Sequence, residues 1–130
     1  MVASCSNRND FDGIVSNKWE KCDVKTNCII DFAISMNFKW DTMCYYSGGC
    51  SLEEINNDLG FELKQFTDIG DRVIFLNKGN IVYQKEWFTN PSEPIVGTIF
   101  ETDLKKFRVS KVEAKFIIKK EGRAYYLTKL

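Results

Sequence analysis

Between residues 28 and 41 the chain alternates. Ile30, Phe32, Ile34, Met36, Phe38 and Trp40 are large and apolar, and Asp31, Ala33, Ser35, Asn37, Lys39 and Asp41 fill the positions between them. Successive side chains of a strand point to opposite faces, so a period of two predicts one long strand with an apolar and a wet face. A helix would scatter the same six residues around its circumference. Upstream, Asp12-Gly13 and Ser16-Asn17 are turn formers, and a short strand over residues 18–23 is expected to open with Trp19. Downstream, Ser51-Leu52-Glu53-Glu54 has the capping-box pattern. Leu52, Ile55 and Leu59 share one helical face and Gly60 is a natural stop, which predicts one short helix at 52–59. From residue 61 the pattern becomes strand, turn, strand. Strands are expected at 61–67, 72–76, 81–88, 95–101, 104–109, 111–119 and 123–129, with Asn77-Lys78-Gly79-Asn80 as the strongest hairpin turn.

About eight strands joined by short loops predict antiparallel neighbours. The fold class is therefore mainly β: an eight-stranded antiparallel up-and-down barrel, or a strongly curved sheet with the short helix in its concave side. Residues 1–15 read as a flexible amino-terminal tether and residues 16–130 as a single β-rich domain.

The composition removes more functions than it suggests. The 130 residues carry no histidine. That excludes Ser-His and Cys-His nucleophile pairs and the usual zinc ligand, so no catalytic residue, metal or cofactor is nominated and no enzyme is expected. Net charge is zero, but residues 1–65 hold six basic and ten acidic side chains and residues 66–130 hold twelve and eight. Such asymmetry marks either a partner surface or the solvated face of a shared sheet. No apolar run is long enough to span a bilayer as a helix.

Cysteine spacing is more specific. Cys22 and Cys28 flank Asp-Val-Lys-Thr-Asn, and Cys44 and Cys50 flank Tyr-Tyr-Ser-Gly-Gly. Four cysteines allow three pairings. With Cys28 and Cys44 near opposite ends of one extended strand, about 50 Å apart at ~3.3 Å per residue, the local bridges Cys22–Cys28 and Cys44–Cys50 are expected. Two closed loops of this kind imply an oxidising compartment, against an alternative of reduced thiols in the cytoplasm.

The remaining cysteine lies in Val2-Ala3-Ser4-Cys5, which resembles the lipobox closing a bacterial lipoprotein signal peptide. The resemblance covers the first ten residues. It implies that Cys5 is the lipid attachment site, that Ser6 to Asp10 form a polar tether, and that the protein is membrane-anchored in the bacterial periplasm. Trp19 after a turn is similar to the Gly-x-Trp that plugs the floor of lipocalin-like barrels, with Asn17 in place of the glycine.

Three surfaces are candidates for partner binding: Tyr45 and Tyr46 in the second cysteine loop, Trp87 and Phe88 at the start of the proline-containing loop, and Lys105, Lys106 and Arg108 in the basic carboxy-terminal third. In each pair of adjacent aromatics the two side chains point to opposite faces, so one is surplus to a single core. The alternatives are that these aromatics are core and that the lysines protect a sheet edge. Together these features favour a periplasmic protein-binding module, an inhibitor or immunity protein that blocks a secreted toxin or hydrolase attacking the cell envelope. The alternative is a lipocalin-type carrier of a small apolar lipid. A cytosolic nucleic-acid binder is disfavoured by zero net charge and by the cysteine pattern.

Overall fold

The computed structural model describes residues 10–64, 66, 70–88 and 92–130. The chain is mainly β, but its strands form two separate four-stranded sheets rather than one closed barrel. The sheets belong to two compact units, one built from Met1–Asn37, Ser92–Thr102 and Val112–Leu130, the other from Phe38–Pro91 and Asp103–Lys111.

The first unit begins with a helix, α1 (Phe11–Lys21), where the sequence suggested tether, turn and a Trp19 strand. Phe11 and Val15, one helical turn apart, are fully buried and override the local turn preference of Asp12-Gly13 and Asn17. Asp12 in the first turn and Lys18 and Lys21 in the last complement the helix dipole. Trp19 therefore plugs no barrel. It lies on α1, where Lys25 Nζ sits 5.0 Å from its ring centroid and donates to the carbonyl of Trp19. Cys22 caps the helix and is disulfide-bonded to Cys28, with the Cα atoms 5.7 Å apart.

The predicted long strand is broken. Strand β1 (Cys28–Asp31) leads directly into a single helical turn, α2 (Phe32–Ser35). The cause is Asp31, whose carboxylate accepts from the Ala33 N–H at 2.9 Å while its carbonyl accepts from Ser35 Oγ at 2.8 Å. This local capping competes successfully with continued pairing. The apolar alternation continues across the break but serves two cores. Ile30 and Phe32 pack in the first unit, Phe38 and Trp40 in the second, and Ile34 is exposed.

The first sheet is completed by β5 (Val96–Phe100), β7 (Lys115–Glu121) and β8 (Arg123–Lys129), in the order β1-β7-β8-β5. β5 runs parallel to β8, with Val96 opposite Arg123, and the strand that follows β5 joins the other sheet. Phe11, Phe32, Phe100 and Phe116 form the aromatic core, with centroid spacings of 5.0 Å for Phe11–Phe32 and 5.5 Å for Phe100–Phe116.

The second unit holds β2 (Thr42–Tyr46), α3 (Leu52–Leu59), β3 (Arg72–Asn77), β4 (Asn80–Glu86) and β6 (Lys106–Ser110), with strand order β4-β3-β2-β6. Helix α3 forms as expected: Ser51 and Glu54 complete a reciprocal capping box, and Gly60 ends it with φ 86°. The hairpin also forms, with Lys78 and Gly79 at φ 51° and 81°, as a two-residue turn demands. No strand occupies 61–67 among the described residues there. Both faces of β2 and β3 are covered. Cys44, Tyr46, Ile74 and Leu76 pack with Ile55 and Leu63 on one face. On the other, Trp40 lies edge-on to Phe75 at 4.8 Å and Phe38 stacks on Tyr83 at 5.5 Å. A sheet buried on both faces needs aromatics on both. That resolves the apparent surplus at Tyr45-Tyr46.

Candidate functional site

At one end of the second sheet β2 and β4 finish and β3 and β6 begin. Asp71 ties this end together. Its Oδ1 accepts from the Gly48 N–H at 2.9 Å, and its carbonyl accepts from the Trp87 N–H at 2.9 Å. Lys105 closes the other side, its carbonyl accepting from the Ser47 N–H at 2.9 Å and from Cys50 Sγ at 3.4 Å. The packing is close enough to specify glycine: a Cβ on Gly70 would stand 1.6 Å from the Trp87 carbonyl oxygen. Three stretches nominated separately from the sequence therefore meet here. They are the Ser47-Gly48-Gly49 loop, the Trp87-Phe88 strand end and the start of the basic segment at Lys105. Phe88 and Leu104 are 64% and 59% exposed on this rim, and Trp87 is half-buried.

The two tyrosines are not on the rim. Tyr45 is buried and stacks on Phe107 at 5.0 Å. Tyr46 is fully buried, and its hydroxyl donates to Asp58 Oδ2 at 2.5 Å. Burial pushes both phenols above their ordinary pKa, with the Asp71 charge adding to the effect at Tyr45 and the hydrogen bond to Asp58 adding at Tyr46.

The basic residues meet α3. Lys106 Nζ donates to Asp58 Oδ1 at 3.0 Å, and an Arg108 guanidinium nitrogen donates to the Asp58 carbonyl at 3.0 Å and lies 3.4 Å from Oδ2. Lys105 Nζ reaches both oxygens of Glu54 at 3.0 Å. Burial works to raise the Asp58 pKa. The hydrogen bonds from Tyr46 and Lys106 and the charges of Lys106 and Arg108 outweigh it and hold the carboxyl below its ordinary value. Much of the predicted basic strip is thus neutralised within the fold. Glu54 and Asp58 were missed in the sequence, although their i, i+4 spacing on a capped helix makes one acidic stripe.

Cys44 and Cys50 are separate thiols, not the expected bridge. Both are buried in the apolar cluster under α3, and burial raises the Cys44 pKa. Once the long strand breaks, extended length no longer discriminates among pairings. The motif Val2-Ala3-Ser4-Cys5 and Thr89–Pro91 of the proline loop lie outside the described residues. Among the described residues no cluster of three or more His, Cys, Asp or Glu side chains is placed to hold a metal ion, and no helix is long and apolar enough to cross a membrane.

A second feature is a groove of about 640 Å3 between the segment after α3 and the β3–β4 hairpin, lined by Phe61, Leu63 and Ile81 together with Glu62, Lys64, Asn80 and Gln84. No protein-family model, no curated protein and no solved structure matches the chain.

Proposed function

We propose that the protein is an envelope-anchored periplasmic binding module that blocks a secreted toxin or hydrolase, and that the Asp71-tied rim is its contact face. The carrying observation is the convergence of Gly48, Trp87 and Lys105 on one rigid sheet end that leaves Phe88 and Leu104 exposed. Exposed large apolar side chains beside a loop fixed by backbone hydrogen bonds lose little entropy on binding, which suits a blocking surface. The Cys22–Cys28 disulfide and the lipobox-like Cys5 support an oxidising, membrane-proximal location. The test is inhibition of purified cell-wall and phospholipid hydrolases by the full chain. An anchoring aromatic is worth about 2 kcal/mol or more, so Phe88→Asp should weaken inhibition by roughly thirtyfold or more. Inhibition unchanged in Phe88→Asp and Leu104→Asp removes the rim from consideration.

A second reading, a carrier of a small apolar lipid, rests on the groove, whose volume falls in the range of ligand sites. Its lining is half polar, which favours an amphipathic ligand over a bare hydrocarbon. Displacement of a fluorescent fatty acid, lost in Leu63→Asp, would support it. Failure of the wild-type chain to bind the probe would remove it.

A further inference from the structure

At one end of the first sheet β1 stops at Asp31, β7 starts at Lys115 and β8 stops at Lys129. The segments that cap this end are tied to one another. The Phe32 N–H donates to the Ala114 carbonyl at 2.9 Å, and the Leu130 N–H donates to the Lys115 carbonyl at 3.1 Å. These segments carry aliphatic side chains that the fold does not bury: Ile34 is 83% exposed, Val112 77% and Leu130 54%. Ile34 breaks the alternation that buries Phe32 and Met36 on either side of it, and Val112 does the same ahead of Ala114 and Phe116.

Helix α1 starts at this same end. The Phe11 ring lies 5.0 Å from Phe32 and 6.0 Å from Phe100, whereas the far end of the helix is linked to the start of β1 through Cys22–Cys28. The chain therefore enters the fold beside the exposed aliphatics. Cys5 precedes Asp10 by five residues, a reach of at most about 18 Å.

We propose that this end of the first sheet rests on the bilayer, with Ile34, Val112 and Leu130 seated at the boundary between headgroups and acyl chains. The proposal rests on the reading of Cys5 as the lipid-bearing residue. A lipid on Cys5 holds the α1 entry point within about 18 Å of the membrane, close enough for the aliphatic end to reach the surface. A diacyl lipid on Cys5 fixes residence on the membrane, and a second, apolar contact fixes orientation. Charge does not drive the contact: Lys111, Lys115 and Lys129 are offset by Asp31, Glu101 and Glu113 around the same end. Added salt therefore leaves it unchanged.

The test uses the full chain with a dipalmitoyl lipid coupled at Cys5, bound to vesicles of phosphatidylethanolamine and phosphatidylglycerol whose acyl chains carry a diazirine. After photolysis, carbene adducts should concentrate on the peptides containing Ile34, Val112 and Leu130. In Ile34→Asp/Val112→Asp they should fall by roughly tenfold or more while the lipid keeps the chain on the vesicle. Adducts on the Phe88 or Leu104 peptides instead, or spread evenly, overturn the proposal. The anchor is tested separately by the mass of the protein extracted from membranes of its native host. An unmodified Cys5 overturns the anchor and the docking in the cell with it. An acylated Cys5 with scattered labelling overturns the docking alone.

Discussion

The Tyr46–Asp58 hydrogen bond fastens α3 to the second sheet, and a double-mutant cycle measures how strongly. Tyr46→Phe removes one buried hydroxyl and keeps the ring. Hydrogen bonds to charged groups contribute about 1.5–3 kcal/mol. Asp58 keeps Lys106 and Arg108 after the change, so the lower part of that range, about 1.5–2 kcal/mol, is expected. Asp58→Ala leaves the Tyr46 hydroxyl buried without its acceptor, costing about 1–3 kcal/mol. It also removes two largely exposed ion pairs worth at most about 1 kcal/mol each. A carboxylate in the last turn of α3 opposes the helix dipole and returns about 0.5 kcal/mol on its removal. The net loss is about 0.5–4.5 kcal/mol, and the coupling between the two sites should be about 1.5 kcal/mol at neutral pH. Urea melts followed by tryptophan fluorescence in a Trp19→Phe background report on this unit, since Trp40 is in its core and Trp19 belongs to the first unit. Because the folded-state pKa of Asp58 is depressed, its contribution is complete above the unfolded value of about 3.9 and is lost as pH falls through the lower folded value. Tyr46 has the opposite sign. Its pKa is raised, so its contribution is complete below an unfolded value of about 10 and is lost as pH rises toward the folded one. The coupling should therefore be flat at neutral pH and shrink at acid pH. A coupling below about 0.5 kcal/mol at pH 7, or one that grows on acidification, would refute the reasoning.

Three further outcomes are expected. Thiol titration of the unacylated chain, denatured without reductant, should count Cys5, Cys44 and Cys50, and reduction should add Cys22 and Cys28; a count of Cys5 alone before reduction would mean that Cys44 and Cys50 are bridged after all. Ser51→Ala should cost about 1 kcal/mol in the same melts by opening the capping box, whereas Ser51→Asp should cost little. Gly70→Ala should destabilise by more than about 2 kcal/mol and disturb the Trp87 rim, because its Cβ meets backbone rather than a yielding side chain; a neutral result by urea melt, with amide exchange at Trp87 unchanged, would show that the approach is looser than the structure has it.

The elements legible in the sequence are those whose signal is local. The caps of α3 are written in its own sequence, and the β3–β4 hairpin in the cluster Asn77-Lys78-Gly79-Asn80, where Gly79 takes the left-handed backbone at no steric cost. The misreadings share one cause: a periodic pattern says that residues are buried without saying in which core. Ile30 to Trp40 keep nearly perfect alternation, yet Asp31 turns the backbone and the run is divided between two units. Two consequences follow from that division. A sheet in its own unit closes no barrel with the other, so the eight strands pair as four and four. The tyrosine doublet becomes core on both faces of one sheet instead of a site. The candidate rim was visible only in pieces, because Gly48, Asp71, Trp87 and Lys105 are brought together by strand register, which single-residue chemistry does not encode. The same logic makes the exposed Ile34 informative. A single exposed aliphatic is ordinary on a protein surface, and Ile34 gains weight only because Val112 and Leu130 are exposed at the same end of the sheet.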